Sequence, residues 1–205
     1  MKTADLEVPI LVRRKLVLFP GVSWVGTAAR REEVAMICEA IRGNPWLGVS
    51  PHPSLPTLCL ARIRKVQPMP DGGLILYLLG IGRAKWSGEG WCQPNQRVPV
   101  SIIPSDPAPM VPPQGWLRQA FVALQNLRGL PGRRDPFPPG LWLDLLCHLL
   151  PLPIWTKIHL LAASSQQERF DMLAEARAES LARRQALDPH KTPLGGLFPE
   201  PAYRN

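Results

Sequence analysis

Leu18-Phe19-Pro20-Gly21, running into Val22–Ala28 and then Glu32–Arg42, is the stretch that decides the fold. Proline lacks the donor a strand ladder needs, and glycine tolerates the backbone of a tight turn, so Phe19-Pro20-Gly21 closes an extended segment. Val34, Ile37, Cys38 and Ile41 then recur at i, i+3, i+4 and i+7, which predicts a helix over Glu32–Arg42 with one apolar face. Glu32 and Glu33 fall in its first turn, where the helix dipole favours acids, and Gly43 ends it. Gly43-Asn44-Pro45 leads into a further strand at Trp46–Ser50. Strand, turn, short strand, one helix and strand is the opening of a small β-barrel.

Working outward, Val8–Leu18 alternates around Arg13-Arg14-Lys15 and predicts the first strand. Downstream, Leu58–Val66 alternates with Cys59, Ala61 and Ile63 on one face and Leu58, Leu60, Arg62 and Arg64 on the other. Asp71-Gly72 supplies the positive φ of a hairpin turn. Leu74–Leu79 is apolar throughout and predicts a strand buried on both faces. Gly80–Trp86 continues into another strand, and Gln96–Ile103 is the last, making six or seven around one helix.

Pro104–Pro113 holds five prolines in ten residues and reads as a stiff connector. Beyond it the period changes to that of helices. Helices are expected at Trp116–Arg128, at Leu141–Leu150 and from Pro153 to Ala163, with a charged loop at Pro131–Pro139. Ser165-Gln166-Gln167-Glu168 is a capping box that opens a last helix ending near Leu187. Phe170, Leu173, Ala174 and Leu181 form its apolar face, and Glu179 and Arg183 an i,i+4 pair. The expected fold class is α+β, a PUA-like β-barrel with one embedded helix followed by an α-helical bundle. The expected organisation is a barrel subdomain with its connector over 1–113, a helical subdomain over 114–187 and a flexible tail over 188–205.

The composition bounds function. The 205 residues carry 24 Lys and Arg against 16 Asp and Glu, a net charge of +8, most of it before Val98. That surplus suits acidic partners, although a solvated basic face explains it equally. No charge-free apolar run reaches the 18 residues of a membrane span, and the first residues lack a signal-peptide core, so a cytoplasmic protein without a membrane role is expected. Cys38, Cys59, Cys92 and Cys147 have none of the paired spacings of a zinc site and read as reduced core residues.

Catalytic signatures are missing. There is no G-x-x-x-x-G-K-[ST] phosphate loop, and Gly80-Ile81-Gly82 lacks the third glycine of a dinucleotide site. Ser164-Ser165 reads as a helix cap, and no G-x-S-x-G elbow occurs. Cys147 and His148 are adjacent on a helix and so point about 100° apart, an unsuitable geometry for a nucleophile and its base. No enzyme, cofactor or metal is expected.

The ordered set of motifs resembles the N-terminal, substrate-binding domain of the Lon protease family. Val8-Pro9-Ile10-Leu11 and Leu16-Val17-Leu18-Phe19-Pro20-Gly21 are similar to the start and finish of its opening L-P-L-F-P-L-P-x-x-x-L-F-P-G strand. The Glu32–Gly43 helix, Leu47-Gly48-Val49, Ala61-Arg62-Ile63, Pro70-Asp71-Gly72 and Leu78-Leu79-Gly80-Ile81-Gly82-Arg83 follow in the family's order. Leu150-Pro151-Leu152-Pro153 and Glu168-Arg169-Phe170 extend the likeness to most of the chain, roughly residues 8–185. One departure is plain: where the family carries H-I-F-E-P-R-Y, this chain has Thr27-Ala28-Ala29-Arg30-Arg31-Glu32-Glu33.

The resemblance implies a stand-alone, non-enzymatic module that binds unfolded or degron-bearing polypeptides, acting as adaptor or regulator beside a separate protease or chaperone. Trp24, Trp46 and Trp86 are the expected apolar anchors, with Arg62, Arg64 and Arg83 selecting acidic neighbours on the barrel rim and in the barrel–bundle groove. Core burial is the alternative role for each tryptophan. Pairing of a peptide with a strand edge is a second mode. The alternative function is RNA binding, which needs Arg13, Arg14, Lys15, Arg62, Arg64 and Lys65 on one face. Nothing in the sequence gives an oligomeric state.

Overall fold

The computed structural model describes residues 6–86, 96–104 and 141–187. Trp91, Cys92, the connector after Pro104, the Trp116–Arg128 helix, the Pro131–Pro139 loop, the side chains of Leu181 and Arg183, and the tail lie outside them. The strands are β1 (Leu6–Val12), β2 (Ser23–Ala28), β3 (Trp46–Ser50), β4 (Thr57–Pro68), β5 (Leu74–Trp86) and β6 (Arg97–Ile103). The helices are α1 (Arg31–Arg42), α2 (Leu141–Leu149), α3 (Ile154–Ala162) and α4 (Gln166–Leu187).

The sheet is mixed, in the order β2-β5-β4-β3-β1-β6, and β6 also pairs with β5. The ladder therefore runs β5–β4–β3–β1–β6 and returns to β5, with β2 appended to the first half of β5. Among the described strands only β1 and β3 pair in parallel, and α1 lies in the connection such a pair requires.

Two apolar clusters divide the sheet's faces. Val8, Ile10, Leu58, Leu60, Ala84, Val98 and Val100, from β1, β4, β5 and β6, form one. Gly48 faces it, and a side chain there would run into Ile10 and Leu58. Leu11, Leu47, Val49, Cys59, Ala61, Leu76 and Leu78 form the other, joined by Met36 and Ile37 of α1 and by Leu143, Leu146, Leu160 and Leu173 of the later helices. Each fully buried Val, Leu, Ile or Met among them contributes roughly 1.5–3 kcal/mol relative to exposure.

Several expected boundaries are corrected. β1 ends at Val12, and Arg13-Arg14-Lys15 is a turn closed by the Leu16 amide donating to the Arg13 carbonyl at 2.9 Å. Val17, Leu18 and Phe19 are buried without belonging to a strand, because they pass beneath α2 and meet it. β5 is one strand through Gly80 and Gly82, not two. Leu74, Leu76 and Leu78 are buried, whereas Ile75, Tyr77 and Leu79 are only half-buried, so the apolar run covers one full face. On α1 the buried residues are Met36, Ile37 and Ala40, and Ile41 is exposed.

The expected cap of α4 forms. The Glu168 amide donates to Ser165 Oγ at 3.0 Å, and the Glu168 carboxylate takes the amide and hydroxyl of Ser164, both at 2.7 Å. Those bonds hold the Glu168 carboxyl below its usual range, the Ser164 hydroxyl contributing most.

Candidate functional site

The six expected site residues do not form one surface. Trp46 stands opposite Arg62 in the β3–β4 register and packs, half-buried, against the cluster of Val8, Ile10 and Leu58. Trp86 packs against the same cluster but lies beside Pro56, whose carbonyl accepts its amide at 2.7 Å. Arg62 and Pro56 are six residues apart on the chain, so roughly 20 Å of extended strand separates the two tryptophans. Trp24 is on β2, half-buried with its ring over Gly26. Arg62 and Arg64 are exposed and make no hydrogen bond or ion pair among the described residues.

Arg83 is corrected from a surface role. It is 5% exposed and points to the helices, where its guanidinium donates to the Leu161 carbonyl at 3.3 Å and to the Ala163 carbonyl. The strand alternation that buries it also sets it on the opposite face from Ala84 and its cluster.

The six basic residues of the RNA alternative occupy different settings. Arg13 is bound by the Glu33 carboxylate at 2.9 Å and the Thr27 carbonyl at 3.0 Å. Lys65 lies 5.5 Å from the Tyr77 ring centre. Arg14 and Lys15 face the helices instead. RNA binding is not supported by this distribution.

The structure assembles a different surface, the groove between the β1–β2 connection and the start of α3. One cavity of 360 Å³ is lined by Arg14, Pro51, His52, Ile154, Trp155 and Ile158. A second of 160 Å³ is lined by Lys15, Leu16, Val17, His148, Leu152, Ile154 and Lys157. Ile154 lines both, so the two cavities adjoin at the start of α3. Trp155 is 63% exposed, the most exposed of the large apolar residues described. Pro153 precedes α3 and gives its first turn no side-chain cap, so the positive end of the helix dipole lies at Ile154.

Charge around the groove is one-sided. Among the described residues neither lining contains Asp or Glu. Lys157 Nζ donates to the His148 carbonyl at 2.5 Å, and burial draws its pKa down. Burial, and then the nearby Lys157, also draw the His148 pKa down, against a hydrogen bond to the Val17 backbone. The His148 ring stands edge-on to Phe19, with centres 6.5 Å apart.

A buried ion pair joins two of the later helices. Arg169 of α4 meets Asp144 of α2 at 2.5 Å. Burial raises the Asp144 pKa to about 6 despite Arg169 and Arg83, so the acid is still ionised at pH 7. Burial likewise raises the Cys147 thiol to about 12, and the thiol of Cys59 rises further in the same direction. A thiol that keeps its proton at neutral pH is not an activated nucleophile, which disposes of the Cys147–His148 pair.

Trp155 is the residue that the sequence-level expectations missed. At i+3 and i+6 from it stand Ile158 and Leu161, both buried, which makes it look like part of a core stripe. His159 and Ala162, at i+4 and i+7, are exposed and mark its true face.

The chain matches the family described as the ATP-dependent protease La (LON) substrate-binding domain over residues 7–176. Comparison with curated proteins returns no match. The Lon N-terminal domain protein from Xanthomonas campestris shares the fold with a TM-score of 0.63 at 20% identity, over 83% of this chain and 98% of that one. The N-terminal domain of the Mycobacterium avium complex Lon protease does so with a TM-score of 0.57 at 18% identity, over 83% and 97%. With the family match spanning most of its length and its fold shared with both domains, the chain belongs to the Lon substrate-binding domain family.

Proposed function

We propose that this chain binds polypeptides in the groove between the β1–β2 connection and α3. The carrying observation is Trp155, exposed at the rim of a cavity whose walls are Ile154, Ile158 and Pro51. A large amphipathic ring beside an apolar hollow is the composition of a binding hot spot, and the cavity volume lies in the usual range for a ligand site, roughly 300–1,000 Å³. Family membership supports the same class of ligand. Trp24, Trp46 and Trp86 then serve packing first. An adaptor or regulator role in proteolysis is the use we assign to such binding, with a separate protease or chaperone as the second partner.

Pairing of an extended peptide with β2 is the second mode, favoured by one observation: β2 is the terminal strand of the sheet order, so its outer edge has no strand partner among the described residues.

The experiment is fluorescence anisotropy with a reduced, alkylated and labelled unfolded protein. Trp155→Ala is expected to weaken binding on the order of 30-fold, the loss of one hot spot, while Trp46→Ala leaves it within about twofold. Loss of binding in Trp46→Ala with Trp155→Ala unchanged overturns the groove assignment, and absence of binding by the unaltered chain overturns the function.

The finer description of the fold also remains our proposal. The cycle of pairings through β5, β4, β3, β1 and β6 supports a small PUA-like barrel, and the mutual packing of α2, α3 and α4 supports a helical bundle. The division at 113 and 187 goes with it. Limited proteolysis that cleaves first near those positions supports the division, and first cuts inside β4 or α3 count against it.

A further inference from the structure

We infer that the groove selects segments in which an acidic side chain adjoins an apolar one, the apolar group seating against Trp155, Ile154 and Ile158 and the carboxylate entering the smaller cavity between Lys15 and Lys157. This inference rests on the polypeptide-binding function proposed for the same groove.

The argument is charge complementarity within a built cavity. Arg14, Lys15, His52, His148 and Lys157 all reach the two linings, and no carboxylate among the described residues does. Three basic side chains elsewhere in the fold are matched, Arg13 by Glu33, Arg97 by Glu39 and Arg169 by Asp144, while Arg62 and Arg64 stand unpaired among the described residues on open strand surface rather than in a cavity. Lys15 and Lys157 have no ion-pair partner among the described residues.

Lys157 carries the inference furthest. An ammonium has three donors, and the His148 carbonyl takes one. The group is half-buried, and burial disfavours its charge. A ligand carboxylate would occupy the remaining donors and offset that desolvation, which an amide of the same shape does far less well. The smaller cavity, at 160 Å³, has room for a carboxylate-bearing side chain. The larger one begins at Ile154 and takes the apolar neighbour.

The cations first expected to do this work, Arg62 and Arg64, stand on β4, outside both linings. The acid-selecting role passes to Lys15 and Lys157, with Arg14 guarding the wider mouth.

The test uses the full chain and three labelled peptides, Leu-Phe-Glu in a Gly/Ser host and its Gln and Lys twins. The Glu peptide is expected to bind about tenfold more tightly than the Gln twin in low salt, with the margin shrinking as salt rises. Lys15→Glu, at an exposed site where folding is not at stake, is expected to abolish the margin and to improve binding of the Lys twin. Lys157→Gln is expected to abolish the margin between the Glu and Gln peptides. Equal binding of the Glu and Gln peptides, with both weakened by Trp155→Ala, overturns acidic selection and leaves polypeptide binding in place. Failure of all three peptides to bind overturns both. Displacement of the Glu peptide by a short oligouridylate at equal charge overturns the inference in favour of a nucleic-acid site.

Discussion

Arg83 donates to the backbone carbonyl of Ala163, so a residue in the last turn's width of β5 fixes the end of a helix 80 residues further along the chain. Its second bond, to the Leu161 carbonyl, completes the tie. Ala163 follows the last residue of α3, where carbonyls lose their intrahelical donors, so a buried cation there meets a structural need.

Arg83→Met is therefore expected to destabilise the fold by about 3 kcal/mol, the loss of two charge-assisted bonds less the gain of an apolar side chain. Urea unfolding measures it. The folded variant should bind peptide like the unaltered chain, since Arg83 does not reach either groove cavity.

Gly80 and Gly82 look equivalent in sequence and are not. A side chain at Gly80 would meet the Phe19 carbonyl, where the chain doubles back with Gly80 bonded to both Gly21 and Val22. A side chain at Gly82 meets nothing within 4 Å. Gly80→Ala should cost about 2–3 kcal/mol by forcing backbone apart, and Gly82→Ala should stay within about 0.5 kcal/mol. Thermal unfolding of the pair separates them.

Asp144 and Arg169 should behave as a coupled pair. Asp144→Leu alone leaves Arg169 buried and uncompensated and is expected to cost about 3–5 kcal/mol, while adding Arg169→Met should recover most of that. A double-mutant cycle by urea denaturation checks it. Equal and additive losses would contradict the coupling.

How much of this was legible in the sequence follows from what kind of force placed each part. The α1 helix and the capping box at Ser165 come from local forces, periodicity and short-range hydrogen bonds, and they were readable. The true end of β1 was not, because Val17, Leu18 and Phe19 are as apolar as a strand but are buried by α2, a contact more than 120 residues away. Arg83 was misplaced for the same reason: a basic residue in a strand looks solvated until the helix carbonyls it serves are present. Trp155 and the groove depend on the meeting of a turn after β1 with the start of α3, which no local pattern encodes.

His148 gives the pH dependence. Burial holds its pKa below the usual 6.5, so the unfolded chain takes up a proton that the folded one resists. Stability from this group is full above about pH 6.5 and is lost as the pH falls below it. Asp144 titrates in the same region with the opposite sign, since the folded acid, raised to about 6, keeps its proton to a higher pH than the unfolded one. The signal is thus the difference between proteins: on going from pH 7.5 to 5.5, the unaltered chain should lose more stability than His148→Gln. Parallel urea midpoints for the two would contradict it.

The most direct measurement is a nuclear magnetic resonance titration of the isotope-labelled chain with an unfolded polypeptide, following every amide. Polypeptide binding in the groove predicts shifts gathered at Arg14–Val17, His52 and Ile154–Ile158, together with the Trp155 indole. Shifts confined to Trp46, Arg62 and Arg64, or none at saturating polypeptide, would contradict it.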